Sequence, residues 1–141
     1  MRAEIPNVAI SGAKGFVGKN LRKFLSSHKI NSVSISRTNF NKGKFPSLKN
    51  VTQFVHLAGI GSESSNQKFQ TVNIETTKTV INLCKKNKIK NIIYLSGLGV
   101  SKNSRSSYFI SKFNAEQLIK NSGLRYTIFR PSYIIGDDDY L

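Results

Sequence analysis

Five short apolar runs punctuate the chain: Asn7 to Ser11 (NVAIS), Ser32 to Ser36 (SVSIS), Gln53 to Leu57 (QFVHL), Asn91 to Leu95 (NIIYL) and Arg125 to Arg130 (RYTIFR). Most are apolar on both sides of the chain, as strands of a parallel sheet covered on both faces must be. Between them the period lengthens. Phe16, Val17, Leu21, Phe24 and Leu25 form one helical stripe, and Phe69, Val72, Val80, Leu83 and Cys84 another. Phe109, Phe113, Leu118 and Ile119 lie on a third helix. Strand and helix in alternation predict a doubly wound α/β sheet with parallel strands. The stretch TNFNKGKFPSLKN, Thr38 to Asn50, is rich in Asn, Lys, Gly and Pro and is expected to be a loop with a short extra strand.

Where the first strand gives way to the first helix stands SGAKGFVG, with Gly12, Gly15 and Gly18 three apart. Free backbone N–H groups and the helix dipole favour an anion there, and glycine lets a pyrophosphate approach the backbone. Gly12 is assigned to the tight turn, Gly15 to the close approach and Gly18 to close helix packing. With Ala13, Lys14, Phe16 and Val17 they make up the expected dinucleotide loop.

At 141 residues the chain is of one-domain length. One Cys and two His leave neither an internal disulfide nor a zinc ligand set, so no metal site is expected. No apolar stretch is long enough for a membrane span, and the N-terminus lacks the apolar length of a signal peptide, so the expected location is cytoplasmic. Lys and Arg number 22 against 7 Asp and Glu, a formal charge of +15. Such a surface attracts polyanions, but the cations are scattered along the sequence without dense aromatic interleaving. A solvated basic surface with no specific nucleic-acid site is expected. The second apolar run ends Ser34-Ile35-Ser36-Arg37-Thr38 with no acid to hold a free ribose hydroxyl pair, and Arg37 suits a 2′-phosphate. NADP(H) is therefore favoured over NAD(H).

Six ordered motifs make the chain resemble the short-chain dehydrogenases/reductases, in particular the extended and atypical branches that include NAD-dependent epimerases and dehydratases. SGAKGFVG resembles the TGxxGxxG loop. VHLAG, Val55 to Gly59, resembles the strand end beside adenine and ribose, so Leu57, Ala58 and Gly59 are implied cofactor contacts. Asn73 matches the helix asparagine, YLSG (Tyr94 to Gly97) the serine strand end, YFISK (Tyr108 to Lys112) the YxxxK pair, and FRPSYIIG the segment that brings Pro131 to the cofactor. The resemblance implies Ser96, Tyr108 and Lys112 as catalytic residues. Tyr108 exchanges a proton, Lys112 lowers the Tyr108 pKa and holds the nicotinamide ribose, and Ser96 hydrogen-bonds the substrate oxygen. Residues four apart share a helix face, and a neighbouring ammonium favours a phenolate, so the pair has a chemical rationale of its own. A nucleotide-sugar substrate and a homodimeric assembly are what the family allows.

Several positions depart from that pattern. Gly97 stands where many relatives carry another Ser or Thr, which weakens the catalytic reading. The short loop after it looks more like the atypical branch, where some members hold NADPH as structure, such as an accessory subunit of respiratory complex I. Residues 1–141 are expected to form one cofactor-binding domain that lacks the substrate-reading part, because the sequence stops at GDDDYL. Asp137, Asp138 and Asp139 are expected to be solvated, His56 to be a core or cofactor-lining residue, and Cys84 a small core residue.

Overall fold

The computed structural model describes residues 7–60 and 63–136; Asp137 to Asp139 lie outside them. Five parallel strands form one sheet: β1 (Asn7–Ser11), β2 (Asn31–Ile35), β3 (Gln53–His56), β4 (Asn91–Leu95) and β5 (Arg125–Phe129), in the order β2-β1-β3-β4-β5. All five predicted strands are present within a residue of their expected ends. Helices α1 (Phe16–Ser27), α3 (Thr76–Lys86) and α4 (Ser107–Lys120) return the chain between strands.

The segment expected to be a loop with an extra strand instead opens with a short helix, α2 (Arg37–Lys42). Ser36 and Asn39 bond reciprocally across its first turn, and Gly43 ends it in the left-handed region at φ 64°. That capping box and terminal glycine override the loop-like composition. A further irregularity lies before α3, where Gln70–Glu75 forms a π-helical turn.

Apolar residues bury on both faces of the sheet. Val8, Ile10 and Val55 pack under Leu25 of α1, while Ala9, Phe54, Ile92 and Tyr94 pack under Val80, Cys84 and Ile119 of α3 and α4. Phe24, expected in the α1 stripe, is instead 57 % exposed and lies against His28, ring centroids 4.2 Å apart.

The strand order reverses beside β1. The chain leaves β1 for β2 on one side, then crosses back to β3 on the other. In such sheets the crevice beyond the carboxyl ends of the two diverging strands is where ligands bind.

Candidate functional site

The glycine turn sits in that crevice. Gly12 has φ +71°, and a Cβ there would lie 2.8 Å from the backbone of Leu57 and Ala58. Glycine is thus required for the β1 turn to touch the β3 turn. Gly18 is buried where a Cβ would overlap the Gly12 carbonyl and lie 2.7 Å from Ala13 Cα. Gly15 differs: it is exposed, its φ is negative, and a Cβ would meet only the Gly12 carbonyl at 3.4 Å. Little in the protein requires glycine at 15, and the first turn of α1 has no side-chain cap and no acid. A cleared approach to uncapped amides fits a pyrophosphate. Arg22, unmarked in the sequence reading, fixes the loop by donating from Nε to the Ala13 carbonyl at 2.8 Å. Lys14 is exposed on the loop.

A buried polar chain ties this loop to α3. Ser11 Oγ accepts from the amides of Leu57 and Ala58 at 3.1 and 3.2 Å and lies 2.7 Å from His56 Nδ1. His56 Nε2 lies 2.9 Å from Thr77 Oγ1, which donates to the Asn73 carbonyl. Thr77 spends its hydrogen on that carbonyl, so it accepts from His56 Nε2–H, and Nδ1 accepts from Ser11. His56 is a neutral core residue. Burial and the charge of Lys112 push its pKa down to about 3. Asn73, 1 % exposed, closes the chain: its amide pairs with both backbone groups of Ile60 and donates to Ser111 Oγ at 3.0 Å.

Beside the loop lies a cavity of about 510 Å³ that gathers Phe16, Val17, Leu57, Gly59, Ser96, Gly97, Tyr108, Lys112 and Pro131. Every proposed catalytic residue is on this wall. Gly12, Ala13, Lys14, Gly15, Gly18, Ala58 and Asn73 stand behind or beside it, and Arg37 stands apart at the end of β2. With the Gln67 amide turned so that its oxygen faces the guanidinium, Arg37 donates to it from Nη1 at 2.5 Å and Nη2 at 2.7 Å. A neutral amide leaves the Arg37 charge uncompensated.

Lys112 is only 6 % exposed, donates from Nζ to the Leu95 carbonyl at 2.8 Å, and lies 4.5 Å from the Tyr94 ring centroid. Burial lowers its pKa to about 8, against the opposing pull of Glu116. The expected lowering of the Tyr108 pKa is not what this geometry produces. Burial pushes the phenol up, and the Lys112 ammonium is directed at Leu95.

Ser96 has its own hydrogen committed within the protein. Its hydroxyl donates to Glu116 Oε2 at 2.5 Å, so toward the cavity it offers lone pairs. It can accept from a substrate hydroxyl but has no hydrogen left for a carbonyl. Glu116, fully buried, also accepts from Arg130 Nε at 3.0 Å and Nη2 at 2.6 Å. Burial raises this carboxyl, but the bonds from Arg130 and Ser96 outweigh it and hold its pKa below the usual value. Glu116 escaped the sequence reading although it follows Lys112 by four residues, on the Tyr108–Lys112 face.

Among the described residues no group of His, Cys, Asp and Glu could hold a metal, and no helix is long and apolar enough to cross a membrane. No curated protein matches the chain by sequence. Solved structures do match in fold. MoeE5 in complex with UDP-glucose and NAD superposes with a TM-score of 0.70 at 19 % identity, over 86 % of this chain and 52 % of its own. A putative NAD-dependent epimerase/dehydratase from Bacillus halodurans gives 0.76 at 21 %, over 96 % and 74 %. UDP-glucuronic acid 4-epimerase from Bacillus cereus in complex with NAD gives 0.66 at 20 %, over 88 % and 56 %. The chain thus spans about half the length of two of these three. A family model described as NAD(P)H-binding matches residues 47–140, which include every cavity-lining residue named above except Phe16 and Val17. With that match spanning more than half the sequence, the chain belongs to the NAD(P)H-binding family.

Proposed function

We propose that the protein is an NADP(H)-preferring oxidoreductase or epimerase whose substrate is a hydroxyl or carbonyl of a nucleotide-linked sugar. One observation carries the reading: Tyr108, Lys112 and Ser96 share a single cavity wall with Phe16, Leu57 and Gly59 beside the glycine turn. Gly12, Gly15 and the uncapped start of α1 would hold the pyrophosphate, Arg37 a 2′-phosphate, and Lys112 the nicotinamide ribose. When bound, the nicotinamide supplies or accepts the hydride.

The chain's own residues manage the proton. Tyr108, raised by burial, holds its proton at neutral pH and can donate it from Oη to a substrate oxygen. Lys112, on the same cavity wall and bonded to the Leu95 carbonyl, would add positive charge to the cavity as negative charge develops. Ser96, fixed by Glu116, accepts from a substrate hydroxyl and so orients an alcohol. The nucleotide-sugar class is supported by the ligands named for MoeE5 and by the epimerase from B. cereus.

NADPH consumption with a panel of oxidised UDP- and dTDP-sugars, together with interconversion of epimeric UDP- and dTDP-sugars, which consumes no NADPH, tests the reading. Tyr108→Phe should keep NADPH affinity and lose turnover roughly 100-fold. A second reading, a protein that holds NADPH without turnover, is favoured by Gly97 and by the commitment of the Ser96 hydrogen to Glu116. Tight NADPH binding with no turnover of any panel member would establish it in place of the first.

A further inference from the structure

Helices in this sheet run opposite to the strands, so their C-termini gather at the edge where the strands begin, away from the cofactor crevice. Cations scattered along the sequence meet there. Lys29 stands between α1 and β2, and Arg125 opens β5. Between the last turn of α3 and β4 come Lys85, Lys86, Lys88 and Lys90. All six are exposed. Among the described residues no acid accompanies them: Glu63 and Glu75 lie in the connection beyond the other edge, and Glu116 is buried against Arg130.

Helix-dipole compensation does not account for this charge. A helix C-terminus carries about half an elementary charge, which one lysine offsets, whereas the end of α3 has four. The backbone adds an independent observation. Lys29 and Lys88 each sit just past a helix in the left-handed region, at φ 56° and 58°. Glycine is usual there, and after α4 the left-handed residue, one position further past the cap, is Gly123 at φ 86°. Two of these three turns therefore accept a strained backbone and gain an exposed cation. At the same edge a hollow of about 160 Å³ is lined by Gln53, Asn91, Arg125 and Tyr126, with Tyr126 46 % exposed.

We propose that this edge is a second binding face, which takes a single-stranded nucleic acid through its phosphate backbone. Lysines neutralise phosphates, Asn91 and Gln53 offer amide donors, and Tyr126 offers a ring on which an unpaired base can stack. A membrane fits less well, because the exposed aliphatic side chains Leu98, Ile110 and Ile135 lie toward the opposite edge. Recognition by charge and stacking carries little sequence preference, so the proposal is compatible with the expectation of no specific nucleic-acid site.

The test is fluorescence anisotropy with labelled 20-mers of deoxythymidine and of uridine, at about 50 and 150 mM salt, on the whole chain. Wild-type protein should bind at low salt with roughly micromolar affinity and weaken steeply as salt rises. Lys85→Glu/Lys88→Glu/Lys90→Glu should weaken binding at least about tenfold and flatten the salt slope by about two units. Lys68→Glu/Lys102→Glu/Arg105→Glu, an equal change of charge on the loops of the opposite edge, should stay within about threefold of wild type. Lys29→Gly/Lys88→Gly should raise the melting temperature while weakening binding, a pairing that loss of folding cannot produce. Equal losses in the two triple variants, no binding at the lower salt, or a Lys29→Gly/Lys88→Gly protein that is more stable and binds as before would each overturn the proposal. So would sedimentation with phosphatidylglycerol vesicles that needs the edge lysines while oligonucleotide binding does not.

Discussion

Helices α3 and α4 pack on the same face of the sheet, yet they bury different chemistry. Past Thr77, α3 hides Val80, Ile81, Leu83 and Cys84; α4 hides Ser111, Lys112, Ala115, Glu116 and Ile119. Burial on α3 stabilises by removing apolar area from water, at about 25 cal/mol per Å². Burial on α4 carries a desolvation cost that its partners offset: Leu95 for Lys112, Ser96 and Arg130 for Glu116, and the Tyr108 carbonyl for Ser111. A helix selected only to close a core would not hide a lysine and a glutamate one turn apart. The difference marks α3 as scaffold and α4 as the element that carries the candidate site.

Substitutions in the scaffold should show the largest losses of stability with the least effect on ligand. Leu83→Ala removes a buried side chain and should cost about 3 kcal/mol by denaturant titration, with NADPH affinity unchanged in the folded fraction. Lowering pH attacks the junction of the two regions. His56 is neutral in the fold with its pKa near 3, and picks up a proton below about 6.5 when unfolded. The unfolded state therefore binds more protons across that window. Stability should fall by about 1.4 kcal/mol per pH unit from 6.5 downward, and a His56→Asn protein should lose that slope between pH 6.5 and 4.5.

Effects on α4 itself should be smaller in stability and larger in function. Glu116→Gln keeps the shape but loses the charge facing Arg130, whose side chain is 42 % exposed, so about 1 kcal/mol is expected. Catalysis should suffer more, since the Ser96 hydroxyl loses its carboxylate acceptor. Gly97→Ser should change stability by less than about 0.5 kcal/mol, because a Cβ there meets Phe109 and Val100 at an ordinary 3.9 Å. If the protein turns over, this added hydroxyl on the cavity wall should raise rather than lower the rate.

The scaffold was legible in the sequence because apolar runs and helical stripes are local signals. The alternation of strand and helix and the place of the glycine turn were read from them; the strand order was not, and Tyr108, Lys112 and Ser96, named by the family resemblance, lie on one cavity wall. Helix α2 was missed although Ser36, Asn39 and Gly43 spell its caps, because composition outweighed position. On α4 the apolar residues Phe109, Phe113, Leu118 and Ile119 did not reveal the polar face that the helix buries, although Leu118 and Ile119 do pack on the core. Only Ile119 of the four is buried, and Phe109 instead covers the turn at Gly99, where a Cβ would lie 3.4 Å from its ring. Hydrophobic periodicity finds the face a helix buries only when that face is apolar. Glu116 and Arg130 meet through tertiary packing, 14 residues apart, and no local pattern pairs them. The basic edge likewise exists only once the helices have turned back.

The claim that α4 buries charge for the site rather than for the fold rests on Lys112, and melting curves with and without NADPH on wild type and Lys112→Met test it most directly. Methionine fills the space of the lysine stem without a buried charge, so the unliganded variant should melt no lower than wild type at pH 7. Because the Lys112 pKa is lowered to about 8 in the fold, its cost is present in full below pH 8 and fades as pH rises toward 10.5. Any advantage of the variant should shrink over that window. Saturating NADPH should raise the wild-type melting temperature by roughly 10 °C and the variant's by far less. A Lys112→Met protein that melts well below wild type yet keeps the full NADPH shift would make Lys112 a structural residue and contradict the account.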